Sequence, residues 1–441
     1  MTKREKHLLM ILPGMALLLL AAHSLRLGDI GMVAALIVLI GLMLFRRGWV
    51  RIVLMAALAW GAFVWAETTL NLVGFRQAMG APWMRLLAIM VGVVVIDLLA
   101  LLAVAAEPGR RFFHQGDNAL ARAAVFLLSV VALAMIRSKV PFPILLADRY
   151  FPAWGWLEIM ALGIYAQWIA GLMLAPGGHG FVRPRIWALF SAVFFGQLAL
   201  GLAGMESMLM TGSLHLPVPA LIAAGPVFRG EGLFMPILFG VTVLLVGPAW
   251  CSHLCYIGAW DDAMSRRGPR PGPSASVRRL SVFGRGAALI LVVATALALR
   301  AMGVPGATAV LMAAGFGLIG VGVMVLVSSR MGLMAHCTAY CPMGIVSNVL
   351  GRLSPWRMRI DRDCCACGAC FSRCRYGALD TERVVSGAPS LSCTLCGDCV
   401  SSCPHGQIGY RFPGLSPDAA RTVFIVLIVS LHAVFLGVAR I

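Results

Sequence analysis

Long apolar runs separated by short polar breaks dominate this chain. A helix rising 1.5 Å per residue needs about 20 such residues to cross roughly 30 Å of hydrocarbon. Eleven runs approach that length, at about 8–25, 30–45, 52–66, 84–106, 119–136, 154–175, 186–205, 232–249, 286–302, 306–328 and 418–438. The run 52–66 is notably short. Lys3, Arg4 and Lys6 precede the first run as they would in a signal peptide, but no small-residue cleavage site follows, so a retained helix is expected. Two connections, 137–153 and 206–231, are apolar but broken by proline. They are expected either to pack at the interface or to line a lipid-facing pocket for a quinone, because irregular backbone at membrane depth must be buried or border a cavity.

Composition agrees with a bilayer protein: 60% of residues are apolar and 12% charged. The net charge of +18 does not point to nucleic acid, since the basic residues are spread over short loops rather than gathered on one face with aromatics. With the N-terminus inside, the inner loops carry about twice the Lys and Arg of the outer ones, which sets the long cysteine-rich segment on the cytoplasmic side. Thiols stay reduced there. The stretch 265–284, rich in Arg, Pro, Gly and Ser, reads as a basic linker against anionic headgroups.

The chemistry lies in thirteen cysteines. Cys364, Cys367, Cys370 and Cys374 have the spacing C-x2-C-x2-C-x3-C, and Cys393, Cys396, Cys399 and Cys403 repeat it 29 residues later. Gly377 and Gly406 continue the echo. In this arrangement three close cysteines hold three irons of a cubane, and the fourth ligates the other cluster. Cluster 1 would use Cys364, Cys367, Cys370 and Cys403; cluster 2 would use Cys393, Cys396, Cys399 and Cys374. Structural zinc would leave half of each quartet unexplained, and disulfides do not suit the cytoplasmic side. Arg375 stands where a proline usually follows the fourth cysteine, and Cys365 is an extra thiol.

Two further pairs, Cys251/Cys255 and Cys337/Cys341, have C-x3-C spacing, each followed by a glycine, Gly258 or Gly344, at an offset of 86 residues. Spacing i, i+4 puts both sulfurs of a pair on one face of a helical turn. Four thiols converging at the inner membrane surface, beneath the ferredoxin module, would suit a third iron–sulfur cluster, copper or zinc, or a redox-active dithiol pair.

Two helix-end C-x3-C pairs followed by a double ferredoxin quartet resemble the membrane polyferredoxin family, with its NapH-like, NosR-like and CcoG-like members. The resemblance covers about residues 186–411. It implies electron transfer between a quinone pool or cytoplasmic donor and a membrane or extracytoplasmic partner, often beside a flavin-bearing protein or a periplasmic reductase. For CcoG-like members it implies copper reduction. Tyr256 departs from the proline expected after Cys255, and about six extra helices precede residue 185.

The expected fold is therefore an α-helical polytopic membrane protein of about eleven transmembrane helices, in the bacterial cytoplasmic (inner) membrane, with a small α+β ferredoxin of the bacterial type inserted before the last helix. Its expected parts are an N-terminal bundle over 1–185, a core with the thiol pairs over 186–345, the ferredoxin over 355–412 and a final helix over 418–441. It is expected to serve as an electron-transfer component, with metal-ion reduction and redox sensing as rivals, rather than as a stand-alone enzyme with a catalytic residue. Asp97, in the middle of an apolar run, is a candidate for a proton or quinone role, with Glu158, Gln167 and Gln197 as weaker cases. His215 is a candidate donor to a quinone. His432 lacks a second well-placed intramembrane histidine for haem.

Overall fold

The computed structural model describes residues 3–114, 116, 118–208, 216–271 and 275–438. His215 lies outside the described residues. Two compact units are formed, Met1–Gly171 and Leu172–Ile441. Among the described residues ten helices are long and apolar enough to cross a membrane. The eleventh run, 30–45, becomes Ile30–Met43, an apolar helix of 14 residues that falls short of that length.

The first unit contains α1 (Lys3–Arg26), α2 (Ile30–Met43), α3 (Gly48–Ala78), α4 (Met84–Ala105), α5 (Glu107–Phe112), α6 (Ala119–Lys139), α7 (Leu146–Tyr150) and most of α8 (Gly155–Leu174). The short run 52–66 grows into the 31-residue α3. In its polar C-terminal half Thr68 and Thr69 satisfy their hydroxyls on the carbonyls of Val64 and Trp65, at 2.8 and 2.6 Å, without leaving the helix. Leu17, Leu20, Val50, Leu54, Leu58 and Val104 pack the interior. Asp97 is buried among them, facing Gly61, where an added Cβ would meet its Oδ2 at 3.1 Å.

The connection 137–153 is held by polar staples. Arg137 donates to Asp148 at 2.7 Å, Asp148 also accepts from the Gly155 amide, and Glu158 accepts from the Ala147 amide. Gln167 accepts twice from Arg122. Glu158 and Gln167 thus have structural partners.

The second unit begins with α9 (Gly178–Leu202), α10 (Leu221–Arg229), α11 (Phe234–Val246), α12 (Tyr256–Ser265), α13 (Ala275–Ala301) and α14 (Gly306–Val323). The expected linker over 265–284 is helical from Ala275 onward and runs directly into the span Val282–Ala301. After α15 (Ser329–Met331) the chain turns at Gly332, whose φ of +67° suits glycine, and returns as α16 (Pro342–Leu350). The strand β1 (Arg357–Ile360) then pairs antiparallel with β2 (Ile408–Arg411), enclosing α17 (Thr381–Val385) and α18 (Asp398–Ser402) before the final α19 (Pro417–Val438). Trp356, almost fully buried, ties this module to the helices by donating to the Leu245 carbonyl at 2.9 Å.

Candidate functional site

Each ferredoxin quartet curls around reversed backbone. Ala366 and Gly368 in the first quartet have φ of +50° and +78°; Leu395 and Gly397, 29 positions later, have +55° and +77°. These left-handed residues bend C-x2-C-x2-C into a tight loop with amides on its concave side. Gly377 and Gly406 also share positive φ, so the duplication extends to the backbone.

Burial pushes the Cys370 thiol up to about 11, and the thiols of Cys364, Cys367 and Cys403 add to the rise while its own amide opposes it. Cys399 is raised well above its ordinary value by burial and by Cys396, Cys393 and Cys374. The fourth cysteine of each quartet thus joins the first three of the other. An apolar cavity bordered by Cys374, Cys393, Cys396 and Cys399 lies inside the second group. Cys374 Sγ accepts the Ala378 amide at 3.2 Å, an N–H to sulfur contact that favours the thiolate. The donor set, the cavity and the amides fit an iron–sulfur cluster. Cys365 is exposed and stands outside both groups.

The helix-end pairs form a second duplicated structure. Both occupy five-residue π-helical turns, Trp250–Leu254 and His336–Tyr340. Each turn closes with the second cysteine's amide donating five residues back: Cys255 to Trp250 at 3.0 Å and Cys341 to His336 at 2.7 Å. Cys255 and Cys341 then cap α12 and α16. The amides of Ile257 and Gly258 point at the Cys255 sulfur, and those of Met343 and Gly344 at Cys341. The repeated glycine has a steric reason. A Cβ at Gly258 would come 3.1 Å from the Cys251 carbonyl, and one at Gly344 would come 2.8 Å from the Cys337 carbonyl.

These four thiols face one another. Cys255 is raised by burial and by Cys251 and Cys341; Cys337 is raised by burial, by Asp261 and by the other three thiols. Burial and Cys251 push Cys341 up to about 12, against the pull of the two amides and Arg285. Cys251 lies in the last turn of the span Phe234–Leu254 and Cys255 just beyond it, and Tyr340 Oη donates at 2.8 Å to the Phe316 carbonyl. The second turn folds back alongside α14, because Gly320 leaves room for the His336 ring.

Several residues join this set to the ferredoxin module. Tyr376 donates to the Cys251 carbonyl at 3.1 Å, and packs with Cys337, Trp187, Met334 and Cys396. Asn348 donates to the Cys393 carbonyl at 3.1 Å and accepts from Arg285 at 2.6 Å. Arg375 reaches the carbonyls of Ser265 and Gly332, at 2.5 and 2.8 Å. Its departure from proline therefore has a docking role.

Arg183 and Arg285, which stand at the inner ends of apolar runs, are both almost fully buried. The legible signal was an arginine at the edge of an apolar run, where burial demands a partner. His432 is buried with its ring 6.1 Å from that of Phe190, and the rings of His253 and His179 lie 5.8 Å apart. Gln197 is buried, and among the described residues its Oε1 has no hydrogen-bond partner.

The described stretch Pro217–Ala220 of the proline-broken segment reaches one of the thiols, Cys341. Pro217, Val218 and Ala220 border an apolar cavity with Phe316, His336 and Cys341. His336 is buried, and neither ring nitrogen has a well-formed hydrogen bond among the described residues.

A family model described as a 4Fe-4S binding domain matches residues 231–274 and 313–361. The match contains all four helix-end cysteines and none of the eight in the quartets. No curated protein and no solved structure matches the chain. With ten membrane-length helices, the chain is an iron–sulfur membrane protein of the multi-pass kind.

Proposed function

We infer that this protein is a membrane-bound electron conduit of the polyferredoxin kind, passing single electrons between a quinone pool or cytoplasmic donor and a membrane or extracytoplasmic redox partner. The observation that carries this reading is the crossed grouping of the quartets, Cys370 with Cys364, Cys367 and Cys403, and Cys399 with Cys393, Cys396 and Cys374. Those two groups would each hold a 4Fe–4S cluster, which supplies one-electron chemistry when bound. The protein's own residues hold the thiolates in place and direct amides at the sulfurs, with Tyr376 and Asn348 keeping the module against the helix-end thiols.

The cavity beside His336 and Pro217–Ala220 supports quinone exchange at membrane depth. The basic bias of the inner loops supports a cytoplasmic membrane location with the ferredoxin module facing the cytoplasm. A flavin-bearing protein or a periplasmic reductase would be a partner of suitable chemistry.

The test is iron and sulfide content with EPR after dithionite reduction, on anaerobically purified protein in detergent. At least about eight irons with coupled reduced-cluster signals is the expected result, four irons for each cubane. Fewer than about four would overturn the reading.

A further inference from the structure

Asp97 lies on α4 at least two turns from either end of the span Met84–Ala105, and only 2% of it is exposed. Its carboxyl lies against α3. A Cβ added at Gly61 would meet Oδ2 at 3.1 Å and Oδ1 at 3.5 Å, with a Leu20 methyl of α1 at 3.4 Å. Among the described residues Oδ2 has no hydrogen-bond partner. A carboxylate held at membrane depth without a donor is expensive, and acids placed so are the usual material of proton relays.

A donor for the ionised form stands one turn away. Trp65 follows Gly61 by four residues on α3, so the two share a face. Its Nε1 is buried and, among the described residues, has no acceptor. Both halves of a hydrogen bond are therefore present and unmade. The Trp65 ring in turn lies 5.0 Å from that of His23 on α1. Carboxyl, indole and imidazole follow one seam among α1, α3 and α4, toward the end of the bundle where α1 and α3 finish. Of the charged groups on the elements packed against α4, Arg26, Arg76 and Arg85 stand at that end, and Glu67 is exposed. At the opposite end Arg51 donates to the carbonyls of Val104 and Ala105, near Glu107, Arg110 and Arg111 of α5.

We propose that Asp97 is a proton-exchange site at membrane depth, neutral while its carboxyl lies against Gly61 and received by Trp65 Nε1 when ionised. On release the carboxyl O–H bond breaks, its electron pair stays on the carboxylate, and the proton leaves toward the imidazole of His23, the next titratable side chain along the seam. Uptake reverses the step. The site belongs to the first unit, so it stands or falls separately from the electron-conduit reading.

The experiment treats the full chain in detergent with dicyclohexylcarbodiimide, an apolar reagent that adds across a protonated carboxyl, the proton going to a carbodiimide nitrogen and the oxygen to its central carbon. Adducts are mapped by peptide mass at a series of pH values. Wild type should be labelled at Asp97, at least about tenfold less at the alkaline end than at the acid end, because only the protonated form reacts. Asp97→Asn should lose this adduct together with an infrared carbonyl band that titrates at the same midpoint. Trp65→Phe should move the labelling midpoint up by about one unit, a tenfold tighter hold on the proton, because the ionised form loses its donor. Equal labelling at every pH would mark a permanently neutral, structural carboxyl, and no labelling at any pH would mean that no protonated form is reached; either overturns the proposal. An unmoved midpoint in Trp65→Phe overturns the part given to Trp65. Should Asp97→Asn fail to accumulate, the adduct mapped in wild type and its pH dependence decide alone.

Discussion

Arg183 on the membrane helix α9 donates to both carboxylate oxygens of Asp398 in the ferredoxin module, at 3.0 and 2.7 Å, although 215 positions separate them in sequence. Asp398 lies between Cys396 and Cys399, so the ion pair fixes the loop of the second quartet directly onto the membrane core. The guanidinium is almost fully buried, stacks over Trp187 and also reaches Asp262 at 3.3 Å. Removing Asp398 leaves the buried guanidinium with Asp262 as its carboxylate partner, at a cost of up to about 3–5 kcal/mol. Asp398→Ala should therefore lose about four irons while the first quartet keeps its own, as read by iron analysis and EPR. Retention of every iron would show that the pair is dispensable for loop position.

Acid should act on the same network. Burial alone would raise the Asp262 carboxyl, but Arg183 and Arg266 overcome it and hold it below the ordinary carboxylate range. A depressed carboxyl contributes stability above its unfolded value near 3.8, and that stability is lost as pH falls through the folded value. Wild type should lose stability more steeply than Asp262→Asn below about pH 4, measured by denaturant midpoint at constant ionic strength. Parallel curves would remove Asp262 from the account.

The two halves of the ferredoxin duplication should differ in their tolerance of a methyl group. Gly397 has φ +77°, and a Cβ there would meet Tyr410 Oη at 2.5 Å and His179 Cε1 at 2.8 Å. At the equivalent Gly368, φ is +78° but the nearest atom, in Phe371, is 3.5 Å away. Gly368→Ala incurs only the left-handed backbone cost of about 1–2 kcal/mol, whereas Gly397→Ala adds overpacking of about 1–3 kcal/mol. Iron content should fall further in the second variant. Equal losses would mean that backbone strain alone decides the outcome.

What could be read from sequence was whatever has local spacing. The quartets and the paired C-x3-C turns recur at fixed offsets, and each turn's ligands sit within a few residues of one another, so the chemistry was legible before any fold was known. Long-range packing was not. The pair Cys337/Cys341 follows an apolar run, and only the turn at Gly332 shows that Tyr340, between the two cysteines, returns to the Phe316 carbonyl. A positive-inside count cannot distinguish a solvated arginine from buried ones such as Arg183 and Arg285, whose surroundings are set by residues far away in the chain. The run 30–45 yielded only the 14-residue Ile30–Met43, capped at its start by the Asp29 side chain.

Arg375 should behave as a docking residue rather than a ligand neighbour. Its side chain holds the carbonyls of Ser265 and Gly332, and its own carbonyl accepts from the Met334 amide at 2.9 Å. Hydrogen bonds from a charged donor are worth about 1.5–3 kcal/mol. Arg375→Ala should keep both quartets loaded while limited proteolysis between residues 350 and 417 becomes several-fold faster. Unchanged cleavage would place the docking energy in Trp356 and Arg183 instead.

Quinone access can be separated from cluster loading at the cavity beside the thiols. Val218 packs against Gly317, where an added Cβ would meet its methyl at 2.8 Å, and both residues border the space that also holds His336 and Cys341. Val218→Trp fills that space while leaving all four helix-end cysteines in the sequence. The reduced variant should then be reoxidised by a short-chain benzoquinone at least about tenfold more slowly than wild type, equivalent to roughly 1.4 kcal/mol of barrier, while ferricyanide reoxidises both alike. His336→Leu tests the polar end of the same cavity, since a quinone oxygen needs a donor in an apolar surround. Wild-type benzoquinone rates in both variants would move quinone exchange away from this cavity and leave the proline-broken segment 206–231 as packing alone.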